Sequence, residues 1–530
     1  MWTSYSLRRC ARFVVSELMR PPLQFEPITR RIPAERQGAK RHYGIHPYFT
    51  RRPANVVRAY IKHFTQPGDF VLDPFGGSGV TAIEAMLANR HGIHNDINPL
   101  ANFIATQIAD TTYDDTTYIR EALGEVQNQC MAQVKAVSSM SEAEVARALG
   151  NIGLPENIEL PRNSDAARFF DLFSPKQLLA LAWLKAAIEK ISDAPARGAL
   201  LLAWSATLGK LNRTFLSARG RLESRGGSSI FSIYRYKLAE AAVQLPAWDV
   251  FHERVMNVIE GKQEVLRQKR LWESTRGWQG TFEAHCLDIA DLPAAIGRTV
   301  DYIFTDPPYG GHIAYLDLST LWNHWLGFRV PNCAREKEII VGGELRLTEE
   351  HYIKRLRESV RVCVSMLKRH GWLSVVFQHW NVRYFAAILE EATEAGAELK
   401  AAVTQIGDTI WSMHKKKNNE GVLAGEMILS FHKGDAISKP RRPQSRGLTT
   451  EALLGDTLAE VSPDGRPFAG EALFNQMILK AWKSGALASV DVTREAFSEV
   501  LKSKGWRYNS LRHQWFRTLE PAPTDFQFTF

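Results

Sequence analysis

Residues 305–310 read Thr-Asp-Pro-Pro-Tyr-Gly and directly follow the apolar run 300–304. Such a run, rich in β-branched and aromatic residues, predicts a strand. Asp306 then stands at a strand's carboxyl end, where open α/β sheets place their ligands. An aromatic amine is a poor nucleophile because its lone pair is delocalised into the ring. A site that uses one must accept the amine's hydrogen bonds and draw the nitrogen towards tetrahedral geometry. The Asp306 carboxylate and a main-chain carbonyl stiffened by Pro307 and Pro308 supply two such acceptors. Tyr309 adds a flat face on which an extruded base stacks, a contact worth about 1–3 kcal/mol. That contact offsets part of the cost of unstacking the base. By itself D-P-P-Y is also an ordinary turn, and only its setting raises it above one.

Part of that setting is a second motif, Asp73-Pro74-Phe75-Gly76-Gly77-Ser78-Gly79. It lies between a short apolar strand predicted over 70–72 and a helix over 82–88. Its glycines allow close backbone approach to a ligand, and the helix start offers unpaired N–H groups. The loop is not G-x-G-x-x-G and has no phosphate-loop lysine, which disfavours dinucleotide and nucleoside-triphosphate sites. Asp96 ends the next strand, 91–93, where a carboxylate can hold the two hydroxyls of a ribose.

The elements that must position these residues are those of a doubly wound α/β unit: strand, glycine turn, helix, strand. A helix over 55–64, ended by Pro67-Gly68, leads into it. From about residue 111 to 278 the pattern becomes mainly helical, with long Ala/Leu-rich or amphipathic stretches at 178–191, 196–211 and 255–272. The α/β rhythm resumes with strands at 282–286, 300–304 and 372–377, and the pair 398–406 and 426–432 predicts a closing hairpin. Residues 434–447 form a Pro- and Arg-containing linker to a small C-terminal module.

With these residues in place, the stretch 46–101 together with Asp306-Pro307-Pro308-Tyr309 resembles the amino-group DNA methyltransferases, the adenine-N6 and cytosine-N4 enzymes. In that family an F-x-G-x-G loop binds S-adenosylmethionine, and Phe75, Gly77 and Gly79 match it. Asp73 matches the family residue near the methionine amino end, and Asp96 the ribose carboxylate. The family's D-x-x-x-L-P-like segment matches 286–293, making Asp288 the counterpart that meets the cofactor's adenine amino group. Upstream, His46-Pro47-Tyr48-Phe49-Thr50-Arg51-Arg52-Pro53 corresponds to a further cofactor segment, with Arg where the family usually has Lys. The resemblance covers less than half of the chain and implies an alpha-class order of motifs, although here the adenine-binding segment follows the insertion.

The fold it implies is α/β, a Rossmann-like class I methyltransferase sheet with a mainly helical insertion and a small C-terminal module. The implied division is a basic segment 1–45, a methyltransferase domain 46–110 plus 279–433, a target-recognition insertion 111–278, the linker, and a module 448–530. The implied activity is transfer of a methyl group from S-adenosylmethionine to an exocyclic amine of a flipped base in DNA, adenine N6 first. Cytosine N4 and RNA guanine N2 remain the alternatives, as does an inactive nucleic-acid-binding relative. Cytosine-N4 enzymes more often carry Ser where this chain has Asp306. Restriction–modification, phage defence and an orphan regulatory role are not distinguished.

Composition agrees. Apolar residues make up 45% and charged residues 23% of the 530, as in a soluble globular protein. No window is long and apolar enough for a membrane span, the basic start reads as an ordinary terminus, and the scattered cysteines point to a reducing cytosol. The five cysteines form no C-x-x-C pair, against a disulfide framework or zinc knuckle. A net charge of +9 suits a phosphate-bearing partner, and no metal is expected.

Weaker features complete the reading. Basic clusters lie at Lys415, Lys416 and Lys417 and at Arg441 and Arg442. The polar stretch 213–236 mixes Arg, Gly and aromatics, as a loop touching nucleic acid or a solvated loop would. Tyr315, Trp322 and Trp325 have helical spacing and fit core packing better than a base pocket. The module holding Trp506, Arg507, Arg512 and Trp515 could be winged-helix-like.

Overall fold

The computed structural model describes residues 25–35, 41–216, 227–239, 244–405, 425–434, 449–510 and 512–517. The lysine and arginine clusters at 415–417 and 441–442 and most of the linker lie outside them.

Seven strands form one sheet. They are β1 (Phe70–Asp73), β2 (His91–Asn95), β3 (Thr281–His285), β4 (Val300–Thr305), β5 (Leu367–Phe377), β6 (Ala397–Gln405) and β7 (Glu426–Lys433). Their spatial order is β3-β2-β1-β4-β5-β7-β6. The pairs from β3 through β5 are parallel, and β7 runs antiparallel between β5 and β6. This is the α/β, Rossmann-like class I methyltransferase sheet that the sequence leads one to expect, with the hairpin pair closing one edge. The chain order reverses between β1 and β4, so their carboxyl ends open a crevice at the switch point.

Strand residues alternate between faces. Val71, Tyr302, Phe304, Trp372 and Val376 belong to one buried cluster, and Leu72, Ile303, Leu373, Val375 and Leu429 to another. The first face carries α1 (Ala54–Phe64), α2 (Val80–Leu87) and α3 (Pro99–Ala109). The insertion supplies α4 (Thr117–Ala136), α5 (Glu142–Leu149), α6 (Pro175–Ile188), α7 (Ala194–Leu208) and α8 (Ala247–Thr275). Its buried residues continue the same cluster rather than forming a core of their own. The second face carries α9 (Glu349–Met366) and α10 (Val382–Glu394).

Three further helices follow, α11 (Thr450–Val461), α12 (Gly470–Ser484) and α13 (Arg494–Ser503); α12 packs against α10 and the β6 edge, and α11 packs on α12. A ribbon of Trp506–Asn509 with Gln514–Arg517 follows, and Phe468 bridges to Trp515. Among the described residues, no helix is long and apolar enough to cross a membrane.

Two aromatic features resolve plainly. Trp322 and Trp325 are fully buried, with Trp322 Nε1 donating to the Ser205 carbonyl at 2.9 Å, so both are core. The described part of 213–236 is no free loop either. Ile230 and Tyr236 are buried, and the Tyr236 hydroxyl donates to the Leu318 carbonyl at 2.6 Å.

Candidate active site

The loop after β1 is built from its own glycines. Gly77 has φ 52° and Gly79 φ 88°, left-handed conformations that favour glycine. A Cβ on Gly79 would lie 2.6 Å from that of Ala105 in α3, and one on Gly76 2.1 Å from the His94 ring. These glycines therefore serve the packing of loop against sheet and helix as much as any ligand. Gly77 is different: its nearest neighbour is the Tyr48 ring, 3.1 Å from the position of a Cβ.

Each carboxylate of the loop is held. Asp73 Oδ1 accepts from the Thr305 hydroxyl at 2.9 Å and from the Phe75 amide at 3.1 Å, tying the loop to the end of β4. Burial raises its pKa to about 7, in spite of those hydrogen bonds. Asp96 accepts from the Gly77 amide through one oxygen and from the Asn98 amide through the other, each at 2.8 Å. Burial raises its pKa to about 6. Asp288 begins a short helical turn, with Oδ1 accepting from the Ala290 amide at 2.8 Å and Oδ2 paired to Arg355.

At the end of β4, Asp306 Oδ2 accepts from Arg52 Nε at 2.5 Å. Its Oδ1 is enclosed and has no hydrogen-bond partner among the described residues. Burial raises its pKa, the Arg52 charge lowers it, and Glu426 raises it. The Pro308 carbonyl accepts from the Tyr352 hydroxyl at 2.7 Å. Tyr309 packs edge-on against Phe377 at 5.1 Å, and its hydroxyl accepts from Arg52 at 3.1 Å.

A single cavity joins these groups. Asp73, Phe75, Gly77, Asp96, Asp288, Asp306 and Pro308 all line it, and Tyr48, Thr50, Tyr315 and Arg355 complete its walls. Of the residues singled out in the sequence, Gly79, Pro307 and Tyr309 stand outside the lining. Gly79 caps α2, and Tyr309 contacts Arg52 beside Asp306.

Several lining residues carry no motif of their own. Glu338 is buried, its Oε1 accepts from the Leu316 amide at 3.1 Å, and burial with nearby Asp317 raises its pKa to about 8. In the segment before α1, Arg51 donates to the Ser78 hydroxyl at 2.9 Å, whereas Arg52 reaches Asp306, Glu426 and Tyr309. The paired arginines are visible in the sequence, but nothing there separates their roles.

Residues 20–111 match a family model described as DNA methylase. Over these residues the chain is similar to the amino-group DNA methyltransferases. Type II methyltransferase M.MjaII of Methanocaldococcus jannaschii is 32% identical over 81 residues, which is 15% of either chain. Type II methyltransferase M.XycI of Xanthomonas campestris pv. cyanopsidis is 40% identical over 52 residues, 10% of this chain and 17% of that one. M.Cfr9I of Citrobacter freundii is 32% identical over 75 residues, 14% and 24%. The chain thus spans only 15% to 24% of the length of these curated relatives. A solved structure, TrmN from Thermus thermophilus, aligns over 72% of this chain and 48% of that one. At 12% identity and a TM-score of 0.25, it carries no argument. The kinship with the amino-group methyltransferases rests on the matched segment, which contains β1, its loop and β2.

Proposed function

We propose that this protein transfers a methyl group from S-adenosylmethionine to the exocyclic amine of a base in DNA, with adenine N6 as the target. The observation that carries the reading is one cavity in which the Asp306 end of β4 meets the loop 73–79, Asp96 and Asp288. The cofactor fit rests on this geometry. The Gly77 amide is bonded to the Asp96 carboxylate, so the loop is drawn against the group that would take the ribose hydroxyls. Asp288, in the lining of the same cavity, retains acceptor capacity for an adenine amine beyond its two existing bonds. When bound, S-adenosylmethionine supplies the electrophilic methyl group.

The chain's own residues do the rest. Asp306 accepts a hydrogen bond from the target amine and makes its nitrogen more tetrahedral. A main-chain carbonyl of the Pro307-Pro308 pair is the second acceptor; that of Pro308, which lines the cavity, also accepts from Tyr352. Tyr309 and Tyr315 supply aromatic surface for the extruded base, and positioning with hydrogen bonding provides most of the acceleration. The matched DNA methylase segment favours DNA over RNA, and the net charge of +9 suits either polyanion. Adenine over cytosine is supported by Asp at 306, since the cytosine-N4 relatives more often use Ser there.

Incubation with labelled S-adenosylmethionine and DNA or RNA, followed by nucleoside analysis, tests the proposal. N6-methyladenine in DNA is the expected product. N4-methylcytosine, or label in RNA alone, would replace the substrate assignment, and no transfer would refute the activity. Asp306→Ala should lower turnover by at least about a hundredfold while cofactor affinity stays within about threefold. Undiminished turnover would remove Asp306 from its role.

A further inference from the structure

We infer that Arg52, braced by Glu426, is the positioning residue of this site and fixes the Asp306 carboxylate in one orientation. The inference rests on the amine-methylation reading above and names how its acceptor is held. One guanidinium joins three elements: the segment before α1, the end of β4 and the first residue of β7. Its Nε donates to Asp306 Oδ2 at 2.5 Å, Nη1 is paired with Glu426, and Nη2 donates to the Tyr309 hydroxyl at 3.1 Å. The three charged side chains are only 16–22% exposed, so they act on one another with little solvent screening. The planar fork of arginine suits this task, because fixing one N–H direction fixes the others. A lysine, the residue the family usually carries here, could not bridge in this way.

The consequence falls on Asp306. With Oδ2 held by Arg52, its two oxygens are no longer equivalent, and the enclosed Oδ1 is left as an acceptor without a donor. A buried polar atom in that state calls for an explanation, and a substrate amine would supply the missing donor. Arg52 also separates two carboxylates. Without it, Asp306 and Glu426 would confront each other in a site poor in water, where like charges favour retention of a proton. A protonated Asp306 is a weaker acceptor. Glu426 pulls the other way, since it competes for the guanidinium charge. The other titratable groups bearing on Asp306 are Tyr309, Tyr315 and Asp73.

The two neighbours therefore make opposite predictions. The carboxyl of Asp306, identified by the band lost in Asp306→Asn, can be titrated by isotope-edited infrared spectroscopy in the full chain. In Arg52→Ala its midpoint should rise by about 1–3 pH units, in Arg52→Lys by less, and in Glu426→Gln it should fall. The acid limb of kcat on duplex DNA should move in the same directions. A tie that only held the fold would lower the melting temperature without separating the signs. An unmoved midpoint, or shifts of one sign in Arg52→Ala and Glu426→Gln, overturns the inference. If the midpoints move as stated but the wild-type protein transfers no methyl group, the methylation reading fails and the positioning stands.

Discussion

Asp96→Ala offers the most direct test of how the cofactor side of the cavity is organised. The wild-type carboxylate accepts from the Gly77 and Asn98 amides, both at 2.8 Å, and lies against the cavity. Hydrogen bonds to a charged group contribute about 1.5–3 kcal/mol each. Removing the carboxylate takes away two acceptors for ribose hydroxyls and releases the loop amide that aligns Gly77. A loss of about 3–4 kcal/mol in cofactor binding follows, two to three orders of magnitude in Kd. Asp96→Asn keeps one carbonyl oxygen, so its loss should be about half as large in free energy. Isothermal titration with S-adenosylmethionine measures both. Turnover at saturating cofactor should largely persist, because Asp306 is untouched. Binding by Asp96→Ala within about threefold of wild type would refute the assignment of Asp96 as the ribose carboxylate.

Other outcomes follow from the same structure. Because burial raises Asp96 to about 6, cofactor affinity should be flat above that pH and weaken below it, as the acceptor takes up a proton. The advantage of wild type over Asp96→Asn in calorimetry should shrink over the same range. Trp322→Ala should destabilise the fold by about 3–5 kcal/mol in denaturant titration; a loss below about 1 kcal/mol would mean that Trp322 is not core. Glu338 has a folded-state pKa raised from 4.5 to about 8, so its stabilising share is complete below its unfolded value and disappears as pH rises through about 8. The melting temperature of wild type should therefore carry a falling contribution between these two values, from 4.5 to about 8, and Glu338→Gln should flatten that fall. Identical slopes for the two proteins would count against it.

What the sequence made legible was local. The unit β1–loop–α2–β2 reads cleanly because a short apolar run, a glycine turn and a short, mostly apolar helix each announce themselves within a few residues. Asp306 was placed at a strand end by the same local logic. α9 escaped notice because Glu349–Met366 is heavily charged, although its buried positions Tyr352, Leu356, Ser359, Val360, Cys363 and Val364 have helical spacing. β5 begins at Leu367, earlier than the apolar core from 372 suggests. Its first residues include Lys368, Arg369 and His370, with His370 at φ 64° and a register shift against β4. The pairing of Arg52 with Glu426 was invisible, since 374 positions separate them and only the closing of the sheet brings them together. The insertion reads as a separate helical unit for a related reason: helical periodicity shows which face is apolar, never what that face will cover.

That last point bears on engineering. Because the buried residues of 111–278 continue the cluster behind α1–α3, the insertion is not a detachable cassette. Exchanging it for that of a relative would leave Trp322 and Trp325, which meet Ser205 and Trp204 of α7, facing an ill-fitting surface, and excising it would expose them to water. New target preferences are better sought by point changes around the cavity mouth than by transplanting the whole segment, and the smallest catalytic fragment of this protein must keep its helical insertion.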